Sequence, residues 1–331
     1  MSRKALICGV SGQDGAYLAK TLLDKGYEVT GTSRDAMASS FASLEKLGIR
    51  SAVRTLSMAT NDFRSVLNAL ETSQATEVYN LAGQTSVGLS FEQPVETMDS
   101  IMGGVLSLLE AIRFTKRSIK FYNAGSSECF GDTGGTPADE NATFQPRSPY
   151  AVAKASSHWL VRNYRESYEL FACTGILFNH ESPLRPSRFV TQKIIRAAAS
   201  IAAGQSEFLH LGNCEIQRDW GWAPDYVEAM WLMLQQSEPE DIVIATGRTV
   251  SLEYFVEQSF RFFGLDSKQH VKTDPSLLRP SEIMVGRADP RRAFEKLGWK
   301  ASTDVDGVIA RMCESAKETL AKGSLRSDRL P

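Results

Sequence analysis

The sequence predicts an α/β protein in which a doubly wound parallel sheet carries a smaller, interleaved, mostly C-terminal α/β unit. Three observations lead there. Short apolar runs alternate with amphipathic helical stretches through the first half of the chain, a glycine-rich turn follows the first run, and beyond residue 178 prolines break the alternation. In order, residues 5–10 read as a buried strand, 16–25 as a helix, 28–32 as a strand, 62–73 as a helix and 77–81 as a strand, giving βαβαβ. A helix across 101–116, a strand at 120–122, a helix beginning near Pro149 and a strand at 172–178 continue the series. Parallel strands need helical crossovers, so this order is that of a Rossmann-like sheet. Pro183 and Pro186 then interrupt; a helical run at 192–203, a buried strand at 241–245, the stretch Leu277-Leu278-Arg279-Pro280 and a helix at 305–321 follow. The expected division is 1–178 plus about 217–260 for the sheet domain, and about 179–216 plus 261–331 for the cap.

Composition narrows the function. With 37 basic and 39 acidic side chains among 331 residues, the formal charge is -2, and the charges are interspersed, so no basic face for nucleic acid is expected. Cys8, Cys129, Cys173, Cys214 and Cys313 are scattered, odd in number and without a CxxC pair; neither disulfides nor a metal site is expected. The apolar stretch after Met1-Ser2-Arg3-Lys4 is too short for a signal peptide, and none approaches the roughly 20 residues that span a bilayer. The expectation is a soluble, cytoplasmic protein that does not engage the membrane.

The first apolar run ends in Gly9-Val10-Ser11-Gly12-Gln13-Asp14-Gly15, which opens directly into a helix. Glycines permit a tight turn and close approach of backbone to a pyrophosphate, and the helix N-terminus offers free N–H groups. Strand, loop and helix together point to a dinucleotide, with Leu81 at the end of the strand at 77–81 beside it. Where an acidic residue commonly binds ribose, Thr32-Ser33-Arg34 stands instead. A hydroxyl and a guanidinium suit a 2′-phosphate, so NADP is expected; Asp35 pointing inward with Arg34 outward would favour NAD.

Tyr150 and Lys154 stand four apart at a helix start, which places them on one face. Free tyrosine has a pKa of about 10, and bringing it near neutrality requires ~4 kcal/mol. An ammonium about 4 Å away at an effective dielectric of about 20 supplies about that much, and an oxidised nicotinamide adds positive charge. The strand at 120–122 leads into Asn123-Ala124-Gly125-Ser126-Ser127-Glu128, at the edge where ligands of such sheets bind. Ser126 can bond a sugar hydroxyl beside Tyr150. Glu128 implies further proton chemistry: once C4 of a sugar is a ketone, a base at C5 can expel the C6 hydroxyl as water. A carboxylate capping the following turn is the alternative.

These residues sit within longer words: Tyr79-Asn80-Leu81-Ala82, Pro146-Arg147-Ser148-Pro149-Tyr150, the run from Gly175 through Asn179-His180-Glu181-Ser182-Pro183, Arg218-Asp219-Trp220-Gly221, Asp225 to Trp231, and Arg279-Pro280-Ser281-Glu282. Across nearly the whole chain the sequence resembles the GDP-mannose 4,6-dehydratases. The resemblance implies that C4 of a GDP-sugar is oxidised by bound NADP, with Tyr150 as base and Lys154 tuning it. Glu128 then removes the C5 proton, water leaves from C6, and hydride returns there, giving a 4-keto-6-deoxy sugar. It places the nucleotide-sugar contacts on Asn179, Lys193, Arg218, Arg279 and Glu282, and leaves His180 open between a packed polar residue and a ligand.

The chain departs from the family at Gly125-Ser126-Ser127-Glu128, where Ser-Thr-Ser-Glu is usual; at Arg34-Asp35-Ala36-Met37-Ala38, where paired arginines precede a loop reaching a neighbouring subunit; near Leu56-Ser57-Met58; and at Glu282-Ile283-Met284. These bear on cofactor choice, on whether the homo-oligomer is a dimer or a tetramer, and on the sugar, for which a GDP-manno-heptose is the alternative to GDP-mannose. A GDP-4-keto-6-deoxy-sugar reductase or 4-epimerase would share Ser126, Tyr150 and Lys154 without needing Glu128. A non-catalytic dinucleotide sensor would need none of the four. The oligomer is expected to form through the helices following Ser100 and Pro149.

Overall fold

The computed structural model describes residues 3–321; Met1, Ser2 and 322–331, which include the end of the expected cap, lie outside the described residues. The strands, in chain order, are β1 (Lys4–Cys8), β2 (Glu28–Ser33), β3 (Arg54–Ser57), β4 (Glu77–Asn80), β5 (Lys120–Ala124), β6 (Ala172–Leu177), β7 (Asn179–Glu181), β8 (Leu209–Leu211), β9 (Gln217–Trp222), β10 (Ile242–Ile244), β11 (Thr249–Ser251) and β12 (Val271–Thr273). The helices are α1 (Gln13–Asp24), α2 (Ala42–Lys46), α3 (Phe63–Ser73), α4 (Val87–Glu92), α5 (Pro94–Met98), α6 (Gly104–Thr115), α7 (Pro149–Tyr168), α8 (Val190–Ala202), α9 (Ala223–Gln235), α10 (Leu252–Phe262), α11 (Ser267–His270), α12 (Arg291–Leu297) and α13 (Val305–Ala321).

Seven strands form a parallel sheet in the order β10-β6-β5-β4-β1-β2-β3. Side chains alternate across it. From β1, Ala5 and Ile7 face α1 and α9, whereas Leu6 and Cys8 face α3, α6 and α7, so each face has its own core. Burial on both faces explains why these strands read as short apolar runs. The strand order reverses between β1 and β4, and the crevice at their carboxyl ends is where ligands of open α/β sheets bind.

β3 is a correction to the sequence reading, which passed from the strand at 28–32 straight to the helix at 62–73. Arg54, Thr55, Leu56 and Ser57 occupy an edge, none is fully buried, and without a buried face they make no apolar run. The helix expected at 101–116 is also longer. It begins at α5 with Pro94 in its first turn, passes through a π-helical segment at Asp99–Gly103 and continues as α6.

A second core lies between α8, α10, α13, β8 and β9. β7, β9 and β11 form a three-stranded sheet, and β8 pairs with β12. Only Phe178 separates β6 from β7, so the chain crosses from the large sheet to the small one within a single residue. No helix among the described residues is long and apolar enough to cross a membrane.

Candidate active site

The turn after β1 is shaped by glycines with separate duties. Gly9 has φ +84°, a left-handed conformation that suits glycine, and a Cβ there would sit 3.0 Å from the Ala82 backbone. At Gly15 a Cβ would lie 2.4 Å from the Gly9 carbonyl oxygen, so no side chain fits. Gly12 is different: its Cβ would meet only the Gly9 oxygen at 3.5 Å, and it caps α1 without a side-chain bond. Ser11 is exposed beside it. The first-turn N–H groups of α1 therefore face outward, as an anion-binding helix terminus requires, and this cradle fits a dinucleotide pyrophosphate.

The side chains of Gln13 and Asp14, both expected at the cofactor, bond to the segment after β6. Gln13 Nε2 donates to the His180 carbonyl (3.2 Å) and Ser182 Oγ donates to Gln13 Oε1 (2.7 Å). Asp14 Oδ2 lies 2.9 Å from His180 Nε2. Both side chains fasten α1 to β7, leaving only backbone N–H groups for a phosphate.

Past β2 stand Arg34 and Asp35, between which the sequence leaves the cofactor preference open. Asp35 Oδ1 accepts from Met37 N (2.9 Å) and Ala38 N (3.1 Å), so its carboxylate is committed to its own turn. Arg34 is 87% exposed and 3.6 Å from Glu96. Ser57 Oγ accepts from Ala36 N, joining this turn to the end of β3.

Pro149 in the first turn and Ser148, whose Oγ accepts from Ala151 N (3.1 Å), start α7 so that Tyr150 and Lys154 share a buried face. Lys154 Nζ donates to the Ala124 carbonyl at 2.7 Å and lies 5.8 Å from the Tyr150 ring centre. Burial pushes the ammonium down to about 8. Burial likewise pushes the Tyr150 phenol above its ordinary value, against the lowering effect of its hydrogen bond with Ser126. The Lys154 ammonium bonds the carbonyl at the end of β5, with the Tyr150 ring beside it.

Ser126 bears on the alternative for Glu128. Its Oγ accepts from Glu128 N (3.3 Å) and caps the short turn Ser127–Phe130, so the cap is the serine and the Glu128 side chain is left to the cavity. Gly125 precedes it because a Cβ there would press within 2.7 Å of Thr174 on β6. Burial raises the Glu128 carboxyl above its usual range, with the Arg218 and Arg279 guanidinium groups pulling the other way.

A cavity of about 370 Å³ brings Ser126, Glu128, Tyr150 and Lys154 together with Asn179, Lys193, Arg218, Arg279 and Glu282. Arg218 and Arg279 both approach Glu282 Oε1, at 3.4 and 3.6 Å. Arg218 Nη1 donates to the Gln217 carbonyl (2.9 Å), and the next residue, Asp219, ties β9 to the segment after β10 by accepting from Thr246 and Gly247. Arg34 and the glycines of the loop stand apart from this cavity. The sequence reading missed Arg185 and the segment Thr85–Gly88, which also line it. Thr85 accepts from Arg188 (3.2 Å), and Ser86 caps α4 through Leu89 N. Their signal was positional: both follow the carboxyl ends of strands.

Comparison with known proteins follows the geometry. The family model described as GDP-mannose 4,6 dehydratase matches residues 6–312. The chain is 43% identical to GDP-mannose 4,6 dehydratase 1 of Arabidopsis thaliana, covering 98% of this chain and 92% of the relative. It is 42% identical to the GDP-mannose 4,6-dehydratase of Vibrio cholerae, covering 94% and 93%. Among solved structures, a dTDP-glucose 4,6-dehydratase from Bacillus anthracis in complex with NAD superimposes with a TM-score of 0.84 at 16% identity, covering 97% of this chain and 98% of that one.

Proposed function

The chain belongs to the GDP-mannose 4,6-dehydratase family, and from that premise we propose that it converts GDP-mannose to a GDP-4-keto-6-deoxy sugar with NADP as its resident cofactor. The observation that carries the reading is the Glu128 carboxyl in one cavity with Ser126, Tyr150 and Lys154. A reductase or 4-epimerase has no task for it.

The roles follow from the chemistry of each group. Ser126 and Tyr150 hold the C4 hydroxyl, and Tyr150 takes its proton. When bound, the cofactor accepts hydride from C4, returns it to C6 and, while oxidised, adds a positive charge that favours the Tyr150 phenolate. Lys154, anchored on Ala124, supplies a second cation on the same face. Glu128 takes the C5 proton, made acidic by the C4 ketone. Of the two protons removed, one leaves with the C6 hydroxyl as water and the other returns to C5, so the reaction is balanced without external reductant. Arg218 and Arg279 neutralise the diphosphate, with Glu282 orienting both, while Asn179 and Lys193 border the nucleotide. The first-turn N–H groups of α1 hold the pyrophosphate of the cofactor. Arg34 meets a 2′-phosphate, which favours NADP over NAD because Asp35 is committed to its own turn.

The large sheet would hold the cofactor, and the segments around β7 to β9 and beyond α10 the GDP-sugar. The exposed apolar side chains Leu106 and Phe114 on α6 and Val152 and Trp159 on α7 support a homo-oligomer packed through these helices.

Incubating the purified protein with GDP-mannose and no added cofactor, followed by mass spectrometry, tests the reading. Loss of one water from the sugar nucleotide is expected. Cofactor-bearing protein that leaves GDP-mannose intact would exclude it and direct the search to another GDP-sugar, a heptose first.

A further inference from the structure

Asp14 is placed against the electrostatics of its own loop. It stands in the first turn of α1, where the field favours a negative charge, yet a pyrophosphate arriving there would meet a carboxylate already in position. The hydrogen bonds of His180 show how the conflict is relieved. His180 Nδ1 lies 2.7 Å from the Phe178 carbonyl oxygen, and Nε2 lies 2.9 Å from Asp14 Oδ2. A carbonyl oxygen and an ionised carboxylate only accept, so with Asp14 ionised both contacts are hydrogen bonds when each ring nitrogen carries hydrogen, the imidazolium state. Its face stacks on Tyr226 of α9, with ring centres 4.5 Å apart.

We infer that Asp14 and His180 form a buried imidazolium–carboxylate pair that cancels the charge of Asp14 beside the pyrophosphate of the cofactor and locks β7 to α1. The second part has its own support. Gln13 bonds both the Asp14 carboxylate (2.9 Å) and the His180 backbone, Ser182 bonds Gln13, and Gln192 of α8 donates to the Ser182 carbonyl at 3.0 Å. Asn179 precedes His180, and Lys193 follows Gln192. The pair is thus the first link of a polar chain from the cofactor helix to both substrate-facing elements, and Asp14 and His180 are positioning residues.

The charged groups facing the pair agree with this state. Burial opposes both charges, but the Asp14 carboxylate beside His180 raises the imidazole above its ordinary value, and Asp14 is held down at about 2. Arg185, tied to Glu181 at 3.3 Å, lowers both; Tyr226 contributes a neutral ring face. The pair is therefore intact below the raised value of His180 and is lost as pH rises through it.

The inference rests on the reading of this loop as the phosphate site of the cofactor, and NADPH titration by fluorescence separates the two. In His180→Gln the Asp14 carboxylate loses its counter-charge, and affinity should fall about tenfold or more. Adding Asp14→Asn to that variant should restore most of the loss, because amide can bond amide without charge. Wild-type affinity should decline as pH rises through the raised value of His180, whereas the double variant should be flat. A double variant as weak as His180→Gln would overturn the pair's charge-balancing role, since packing alone predicts no rescue. If His180→Gln fails to fold, the single Asp14→Asn decides: its affinity should lose the alkaline decline, and retention of that decline would refute the inference. Wild-type protein that binds no nicotinamide cofactor would instead reject the reading of the loop.

Discussion

Glu128 and Arg218 show how one buried residue sets the working range of another. Glu128 must be ionised to take the C5 proton, but burial raises its carboxyl above the usual 4.5, and Arg218 counteracts that. Activity should therefore fall as pH drops through a value above 4.5. Arg218→Gln should move this acid limb to higher pH at saturating substrate, the opposite of what loss of a mere binding contact would do. Glu128→Gln should still oxidise C4 yet exchange no C5 hydrogen with deuterated water; undiminished exchange would assign the base elsewhere. Tyr150→Phe should abolish both steps. The grouping of Ser126, Glu128, Tyr150 and Lys154 was legible in sequence from spacing and strand-end position, and the four line one cavity. What Lys154 touches was not legible, since the Ala124 carbonyl that draws it belongs to β5, thirty positions away in the chain.

At the scale of elements, the loop between β1 and α1 divides its glycines between folding and binding. Gly15→Ala would push a methyl within 2.4 Å of the Gly9 oxygen, and it should destabilise the protein by roughly 1–3 kcal/mol, the usual cost of overpacking. Gly12→Ala has ordinary room and should leave the melting temperature nearly unchanged while weakening NADP binding, because it adds a methyl at the N-cap of the helix proposed to hold the pyrophosphate. Thermal melts paired with cofactor titrations distinguish these outcomes; equal destabilisation by both would dispute the division. The buried strands and long helices were legible because a two-faced core imposes apolar runs and helical periodicity. β3 was not, because an edge strand with polar side chains carries neither. The start of α5 at Pro94 was a local signal that the apolar pattern of the later turns overshadowed.

For the molecule as a whole, exposed Trp159, at 54%, and Phe114, at 65%, are large apolar surfaces on adjacent helices of one face. Trp159→Glu should shift the assembly toward monomer in sedimentation at micromolar concentration, leaving cofactor binding intact; unchanged mass would place the contact on another face. The second core, between α8, α10, α13 and β9, is built from segments separated along the chain. Such interleaving is visible in sequence only as irregularity after residue 178. The sheet architecture and the family were legible in the chain alone, since periodicity and long shared words are local properties of it. Tertiary structure alone decided how the charges pair: that Asp35 turns on itself, that Asp14 meets His180, and that Arg218 and Arg279 converge on Glu282. Pairing depends on distance and burial between residues far apart in sequence, and those quantities exist only once the strands are assembled.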